Sequence, residues 1–266
     1  MKPKNVISSI SNSQIKNLVL LQKKAKARKE QGIFVVEGIK MFEEAKEAGL
    51  LIKAYTSESF YDAVTKEHSD YFDSLDVEIL TDAVFKEASD TQTPQGILGT
   101  VKISEYSPEA ILKHPEACLL LLEDIRDPGN LGTMIRTAEG AGITGIIMNG
   151  SSVDSYNPKV IRSTMGSIYR VPFCYVDDFK QILADIKNRG VTVFAAHLMG
   201  RPYDTEGSFR GKCAFLIGNE ANGLSEEISS MADTLIKIPM AGKVESLNAA
   251  VAAAILMYEA ARQRRK

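Results

Sequence analysis

The stretch EDIRDPGNLGTMIRTAEGAGITGIIM, residues 123–148, decides how this chain is read. Its second half, Gly140-Ala141-Gly142-Ile143-Thr144-Gly145, spells G-x-G-x-x-G, the fingerprint of dinucleotide-binding folds. That fingerprint works when a strand precedes the glycines and a helix follows, so that the helix N-terminus faces a pyrophosphate. Here the order is reversed: a helical pattern over 133–138 comes first and the strand 146–148 comes after. Gly140 and Gly142 are therefore expected at a helix C-cap and turn, where positive φ is needed. A nicotinamide- or flavin-dependent enzyme is set aside on that ground. What remains is quieter. Pro128 and Gly129 predict a turn, Asn130 a helix cap, and Arg136 follows six residues later within an apolar helical pattern. Alone, the Asn130–Arg136 pair reads as a helix cap plus a surface ion pair of Arg136 with Glu139 or Asp127.

Outward from this stretch the chain alternates strand and helix. "CLLLLE" from Cys118 is a continuous apolar run, as expected of a strand covered on both faces. It is followed by a helix near 130–141, the strand "GIIMNG", a helix near 158–166 and a strand within "RVPFCYV". A helix at 178–189, strands at 191–198, 213–218 and 235–240, and a final helix from Ser246 to about Arg262 complete it. This predicts an α/β fold with a mostly parallel sheet. Toward the N-terminus, residues 12–29 read as one polar helix, and 32–102 as a smaller α/β unit. The two-proline segment 104–117 is the candidate linker, giving domains 1–105 and 106–266.

Composition bounds the chemistry. The chain has 266 residues, 44% hydrophobic and 25% charged, as in globular proteins. Cys118, Cys174 and Cys213 form no C-x-x-C pair, and His68, His114 and His197 are scattered, so no metal site is expected. The free cysteines and the lack of a signal-peptide-like or membrane-length apolar run point to a cytoplasmic protein. Net charge is only −2, but it is unevenly spread. Residues 1–29 hold eight Lys or Arg and no acid, densest at Lys23, Lys24, Lys26, Arg28 and Lys29. Arg262, Arg264, Arg265 and Lys266 end the chain. Such clusters suit either a phosphate backbone or a solvated helix face.

Three loops fall at the C-terminal ends of strands, where open α/β sheets bind ligands. The first holds Asn130 and Arg136. The second, "FLIGNEANGLSEE", sets Glu220 between Gly218 and Gly223, free of any capping duty because a helix starts near Ser225. The third is "IKIPMAGKVESLNAAVAAAILMYEAARQ", in which Ser246 is the expected helix cap and Asn248 lies in the first turn. From Ala249 to Tyr258 that helix is apolar all round, so it is expected to be covered on several sides, by its own sheet and by a second subunit.

In these three segments the chain resembles the SpoU/TrmH-type RNA 2′-O-ribose methyltransferases of the SPOUT superfamily. N-x-G-x-x-x-R-T-A is met by Asn130, Gly132, Arg136, Thr137 and Ala138; G-x-E-x-x-G-[LI] by Gly218, Glu220, Gly223 and Leu224. I-P-M…S-L-N…Y-E is met by Ile238, Pro239, Met240, Ser246, Leu247, Asn248, Tyr258 and Glu259. The N-terminal part resembles the family's RNA-binding domain of ribosomal-protein type, through "VVEG" and "TPQGILG". The resemblance implies a C-terminal trefoil knot, an exception to the rule against knots. It also implies S-adenosylmethionine held mainly by backbone of Gly218, Ile238, Met240 and Leu247, and a homodimer with the catalytic Arg near the partner. Asn130, Arg136, Glu220, Ser246 and Asn248 become the catalytic set. Because Arg stays protonated, Arg136 is expected to orient the ribose hydroxyl and stabilise the developing alkoxide, with Glu220 receiving or relaying the proton. The substrate expected is ribosomal RNA, with transfer RNA, or a catalytically idle RNA-binding protein, as the alternatives.

Overall fold

The computed structural model describes residues 6–206 and 208–265. Its first half runs α1 (Ser13–Lys23), α2 (Ala25–Gln31), β1 (Ile33–Glu37), α3 (Ile39–Glu47), β2 (Leu51–Ser57), α4 (Glu58–Glu67), β3 (Val77–Leu80), α5 (Asp82–Ala88) and β4 (Ile97–Lys102). The four strands form a mixed sheet in the order β1-β4-β2-β3. Strand β4 runs antiparallel to β1 and β2, and β2 pairs β3 in parallel. Alternate residues feed separate apolar clusters: Val35, Tyr55 and Leu98 join Leu18, Leu21 and Phe85, while Ala54 and Ile97 join Phe42 and Phe72.

One helix over 12–29 was expected, and two are found, broken at Lys24 (φ −125°, ψ 110°). The break turns Arg28 inward, where it is only 4% exposed. Its guanidinium donates to the carbonyls of Leu21 and Gln22, satisfying oxygens that the end of α1 would otherwise leave unpaired. Arg28 thus leaves the expected basic stripe, whereas Lys23, Lys24, Lys26 and Lys29 are exposed. The C-terminal basic cluster is likewise reduced. Arg262 is held by Glu259, Arg264 donates to the carbonyls of Phe209, Glu116 and Ala117, and Lys266 lies outside the described residues.

The second half runs α6 (Pro108–Leu112), β5 (Cys118–Leu122), α7 (Pro128–Ala141), β6 (Gly145–Asn149), α8 (Pro158–Thr164), a 3-10 turn (Ser167–Tyr169), β7 (Phe173–Val176) and α9 (Phe179–Asn188). It continues with β8 (Thr192–Pro202), α10 (Tyr203–Glu206), β9 (Cys213–Ile217), α11 (Glu226–Ser230), β10 (Thr234–Lys237) and α12 (Ala249–Arg264). The chain divides into two compact units. Tyr156–Tyr169 belongs with the first, and the second comprises Glu105–Ser155 and Arg170 onward. Helix α8, expected within the second alternation, therefore packs in the first unit, where Tyr156 meets Phe34 at 4.7 Å between ring centres and Arg162 pairs Asp90 at 2.7 Å.

The second unit is a six-stranded sheet, all parallel, ordered β10-β8-β9-β5-β6-β7. Every residue of β5 and β9, its central pair, is buried, as the unbroken apolar runs require. Strand β8 extends past its expected end because Arg201 and Pro202 pair Ile236 and Lys237, after five residues that have no partner on β10. Helix α12 packs on α7 and β9, burying Ala250, Ala253, Leu256, Met257 and Ala260. Among the described residues the helix keeps an exposed face, where Val251 (47%) and Tyr258 (50%) lie. Gly142 does cap α7 in the left-handed region (φ +72°). Gly140 does not. It lies inside α7 without positive φ, where an added Cβ would sit 2.9 Å from the Tyr258 hydroxyl and oblige that side chain to shift.

The burial of Arg28 gives a direct prediction. Arg28→Ala should lower unfolding free energy by about 2–3 kcal/mol, since it strands two carbonyls served by a charged donor. Lys26→Ala, on the exposed face, should stay within about 0.5 kcal/mol. Urea unfolding of the two variants checks the contrast.

Candidate active site

Strands β5 and β9 pair in register, Leu122 beside Ile217, so the loops leaving them emerge side by side. The loop after β5 leads into α7. Its cap is Asp127, whose Oδ1 accepts the Asn130 backbone N–H at 2.8 Å. Pro128, with φ suited to the first helical position and no N–H to satisfy, starts the helix two residues before Asn130. The expected cap at Asn130 is thus corrected, and its side chain is released for other bonds.

Those bonds form a line. Asn248 Nδ2 donates to Asn130 Oδ1 at 2.9 Å, and Asn130 Nδ2 donates to Glu220 Oε1 at 3.0 Å. The amide orientations are mutually consistent, because Asn248 Oδ1 already accepts the N–H groups of Ala250 (2.9 Å) and Val251 (3.3 Å). Asn248, not Ser246, therefore caps α12, which corrects the second expected cap. Ser246 lies two residues outside the helix, exposed and with no hydrogen bond among the described residues.

Glu220 does more than meet Asn130. Its Oε1 accepts Asp127 N (3.0 Å) and its Oε2 accepts Arg126 N (3.1 Å). Partial loss of water around the carboxyl opposes ionisation, but the bonds from Asn130, Asp127 and Arg126 outweigh it and hold its pKa below the ordinary glutamate value. The geometry makes Glu220 a clamp on the start of α7.

Arg136, two turns into α7, is exposed and makes no hydrogen bond or ion pair among the described residues. Of the partners considered for it, Glu139 is held by Arg170 instead, and Asp127 caps the helix. The guanidinium thus stands at the surface with its donors unspent.

The segment 238–248 joins β10 to α12. Ile238, Met240 and Leu247 are half-buried, and the backbone groups of 238–247 make no hydrogen bond with any described residue. The rest of the segment is exposed, so its N–H and C=O groups face solvent and are open to a ligand. It offers a ligand both apolar contact and unclaimed donors and acceptors. Gly218 is held at close quarters, since a Cβ there would lie 2.2 Å from the backbone of Gly223 and Leu224. Those four positions suit a nucleoside held by main chain. No group of three or more His, Cys, Asp or Glu side chains among the described residues is placed to hold a metal ion, and no helix is long and apolar enough to cross a membrane.

Sequence reasoning missed several residues that build this site. Asp124 has φ +58°, its N–H donates to Asn149 Oδ1 (2.9 Å), and its carbonyl accepts Asn219 Nδ2 (2.8 Å). Glu123 accepts the N–H (2.8 Å) and hydroxyl (2.6 Å) of Ser225. The available signal was the density of Asp, Glu and Asn at both strand ends, where turn residues alone would have sufficed.

Residues 117–258 match the SpoU rRNA methylase family, and residues 12–99 match the MRM3-like substrate binding domain. The chain is 32% identical over 259 residues to the 23S rRNA (guanosine(2553)-2'-O)-methyltransferase RlmP of Bacillus subtilis, covering 95% of this chain and 97% of that protein. An AdoMet-bound rRNA methyltransferase from Sinorhizobium meliloti shares 31% identity and superposes with a TM-score of 0.82, covering 97% of each chain. The SpoU methyltransferase AviRb from Streptomyces viridochromogenes, in complex with AdoMet, superposes at 0.85 with 26% identity, covering 95% of this chain and 98% of that one. The fold class is accordingly that of the SpoU (SPOUT) methyltransferases, a parallel α/β sheet together with a smaller N-terminal α/β domain. This chain belongs to the SpoU rRNA methylase family.

Proposed function

We infer that this protein transfers a methyl group from S-adenosylmethionine to a ribose 2′-hydroxyl of ribosomal RNA. The observation that carries the reading is the line Asn248–Asn130–Glu220, which fixes the N-terminal turn of α7 while leaving Arg136 on that helix unpaired. In this reading Gly218, Ile238, Met240 and Leu247 hold the cofactor through their backbone. S-adenosylmethionine supplies an activated sulfonium methyl, so the protein's task is to position the hydroxyl and stabilise the charge that develops on it.

Arg136 performs that task. Its planar, permanently protonated fork donates to the ribose oxygen as negative charge builds there. Asn130 and Asn248 hold the helix start, Glu220 clamps the loop before it, and Ser246, whose hydroxyl is uncommitted, meets the substrate or cofactor. The hydroxyl proton leaves to solvent or to a phosphate of the RNA, because the Glu220 oxygens are taken up by Arg126 N, Asp127 N and Asn130 Nδ2. Lys23, Lys24, Lys26 and Lys29 bind the RNA backbone, and the first unit selects the target. A homodimer covers the exposed side of α12, where Val251 and Tyr258 leave apolar surface, and brings the partner close to Arg136. Cytoplasmic localisation fits a ribosomal RNA substrate and the three free cysteines.

Methyl transfer from radiolabelled cofactor to unmodified ribosomal RNA tests the function. Incorporation should appear as alkali-resistant 2′-O-methyl linkages; transfer only to tRNA would move the substrate class, and RNA binding without transfer to any RNA would leave an idle RNA-binding protein. Arg136→Ala should reduce kcat on the order of 10²-fold, and Arg136→Lys should recover little of it, because a point charge does not replace the fork. Near-normal turnover in Arg136→Lys would show that geometry at this position is unimportant.

The clamp has its own signature. A carboxyl with depressed folded pKa contributes stability above its ordinary value, about 4.3, and loses it as pH falls through the lower folded value. Glu220 is therefore ionised throughout the neutral range. Glu220→Gln should lower turnover at every pH between roughly 6 and 9 while leaving the shape of the pH–rate profile unchanged. Loss of an ionisation from the profile would restore Glu220 as the proton acceptor.

Replacing Lys23, Lys24, Lys26 and Lys29 together with Ala should raise KM for RNA and flatten its salt dependence, by up to about one unit in log–log slope per lost phosphate contact. Kinetics at several salt concentrations measure this, and KM for the cofactor should not move.

A further inference from the structure

The loop 218–225 is tied to its neighbour from both directions, and only one of these ties belongs to the catalytic cluster. Glu220 reaches from the β9 loop to the backbone before α7. Glu123 reaches the opposite way, from the end of β5 to Ser225. Its own N–H extends the β5–β9 ladder by one residue, donating to Ile217 O at 2.9 Å. Its Oε2 accepts Ser225 N at 2.8 Å and its Oε1 accepts Ser225 Oγ at 2.6 Å. The same Ser225 hydroxyl accepts Ile228 N at 3.2 Å as the cap of α11. The hydroxyl proton is thereby directed at Glu123, and both carboxylate oxygens are spent on a single residue.

Ser225 directly follows Gly223 and Leu224, the two residues whose backbone lies against Gly218. Within the loop, Asn219 Oδ1 accepts the N–H groups of Ala221 (2.9 Å) and Asn222 (3.1 Å), and Gly223 N donates to Asn219 O (2.9 Å). Those bonds shape the turn but do not anchor its far end to the sheet. Leu224 packs into the core beside the sheet, and Glu123 adds the polar anchor next to it. We propose that Glu123 is a positioning residue for the cofactor, holding Ser225 so that Gly223 and Leu224 press Gly218 into its binding position. The proposal rests on the methyltransferase reading above and on Gly218 as part of the cofactor site.

The arrangement separates two effects. The start of α7 has its own cap in Asp127, which Glu123 does not touch, so removal of Glu123 bears first on the far end of the β9 loop, where Gly223 and Leu224 lie against Gly218. Charge-assisted bonds to a carboxylate are roughly twice as strong as neutral ones, so the loss should be visible in binding.

Titration calorimetry of S-adenosylmethionine on the full chain, paired with methyl-transfer kinetics, tests this. Glu123→Ala should raise the cofactor Kd by about tenfold, with kcat at saturating cofactor within about twofold and KM for RNA unchanged. Glu123→Gln keeps an oxygen for Ser225 N and should recover most of the affinity, which also covers the case in which the alanine variant folds poorly. An unchanged Kd in Glu123→Ala, a parallel loss in kcat and RNA affinity, or a Glu123→Gln as weak as the alanine variant would each overturn the proposal. A wild-type chain that binds no S-adenosylmethionine would overturn the underlying reading with it.

Discussion

The in-register parallel pairing of β5 with β9 is the constraint on which the site depends. Parallel strands end on the same edge of a sheet, so Leu122 and Ile217 release their loops side by side although they lie far apart in sequence. Two loops in that position expose unpaired backbone at the end of a buried sheet. Each satisfies the other's: Glu220 accepts N–H groups before α7, Glu123 accepts the N–H before α11, and Asn219 donates to the carbonyl of Asp124. The exchange does the work that water or a cap does elsewhere. It also makes the two loops one rigid edge.

That rigidity explains a backbone outlier. Asp124 occupies the left-handed region, which costs a non-glycine residue on the order of 1 kcal/mol and persists only where neighbours over-determine it. Here its N–H is held by Asn149 from β6 and its carbonyl by Asn219 from the β9 loop, while Arg126 pairs its carboxylate. The kink aims the chain from β5 into α7, and α7 carries Arg136. Strain at Asp124 and freedom at Arg136 are two ends of one device.

The parallel sheet, its apolar central strands and the false dinucleotide motif were legible in sequence, because burial on both faces and the order of helix and strand are local patterns. The caps were not. Asp127 and Asn130 are both good capping residues, as are Ser246 and Asn248, and local propensity does not choose between them. The choice is made by Pro128 at the first helical position and by Glu220, which lies 90 residues from Asn130 and draws its side chain away from the helix end. Glu220 itself reads in sequence as a loop carboxylate with a free charge, and only its distant N–H donors reveal a clamp. Gly140 and Gly142 offer the same choice, since either glycine could end the helix and only Gly142 takes the left-handed conformation.

Three arginines show how the fold sorts its cations. Arg28 is buried with its guanidinium on the carbonyls of Leu21 and Gln22, and Arg264 spends its fork on the carbonyls of Phe209, Glu116 and Ala117. In both the donors close backbone ends that the fold leaves open, so neither has a geometry to offer a substrate. Arg136 has acidic residues near it in sequence, yet Glu139 is occupied by Arg170 and Asp127 by the helix start. Keeping those carboxylates engaged is what prevents a surface ion pair that would cover the guanidinium. An unpaired exposed arginine costs little by itself, because water solvates it. What it requires is that every nearby anion already have a partner, and the loops around α7 meet that requirement one carboxylate at a time.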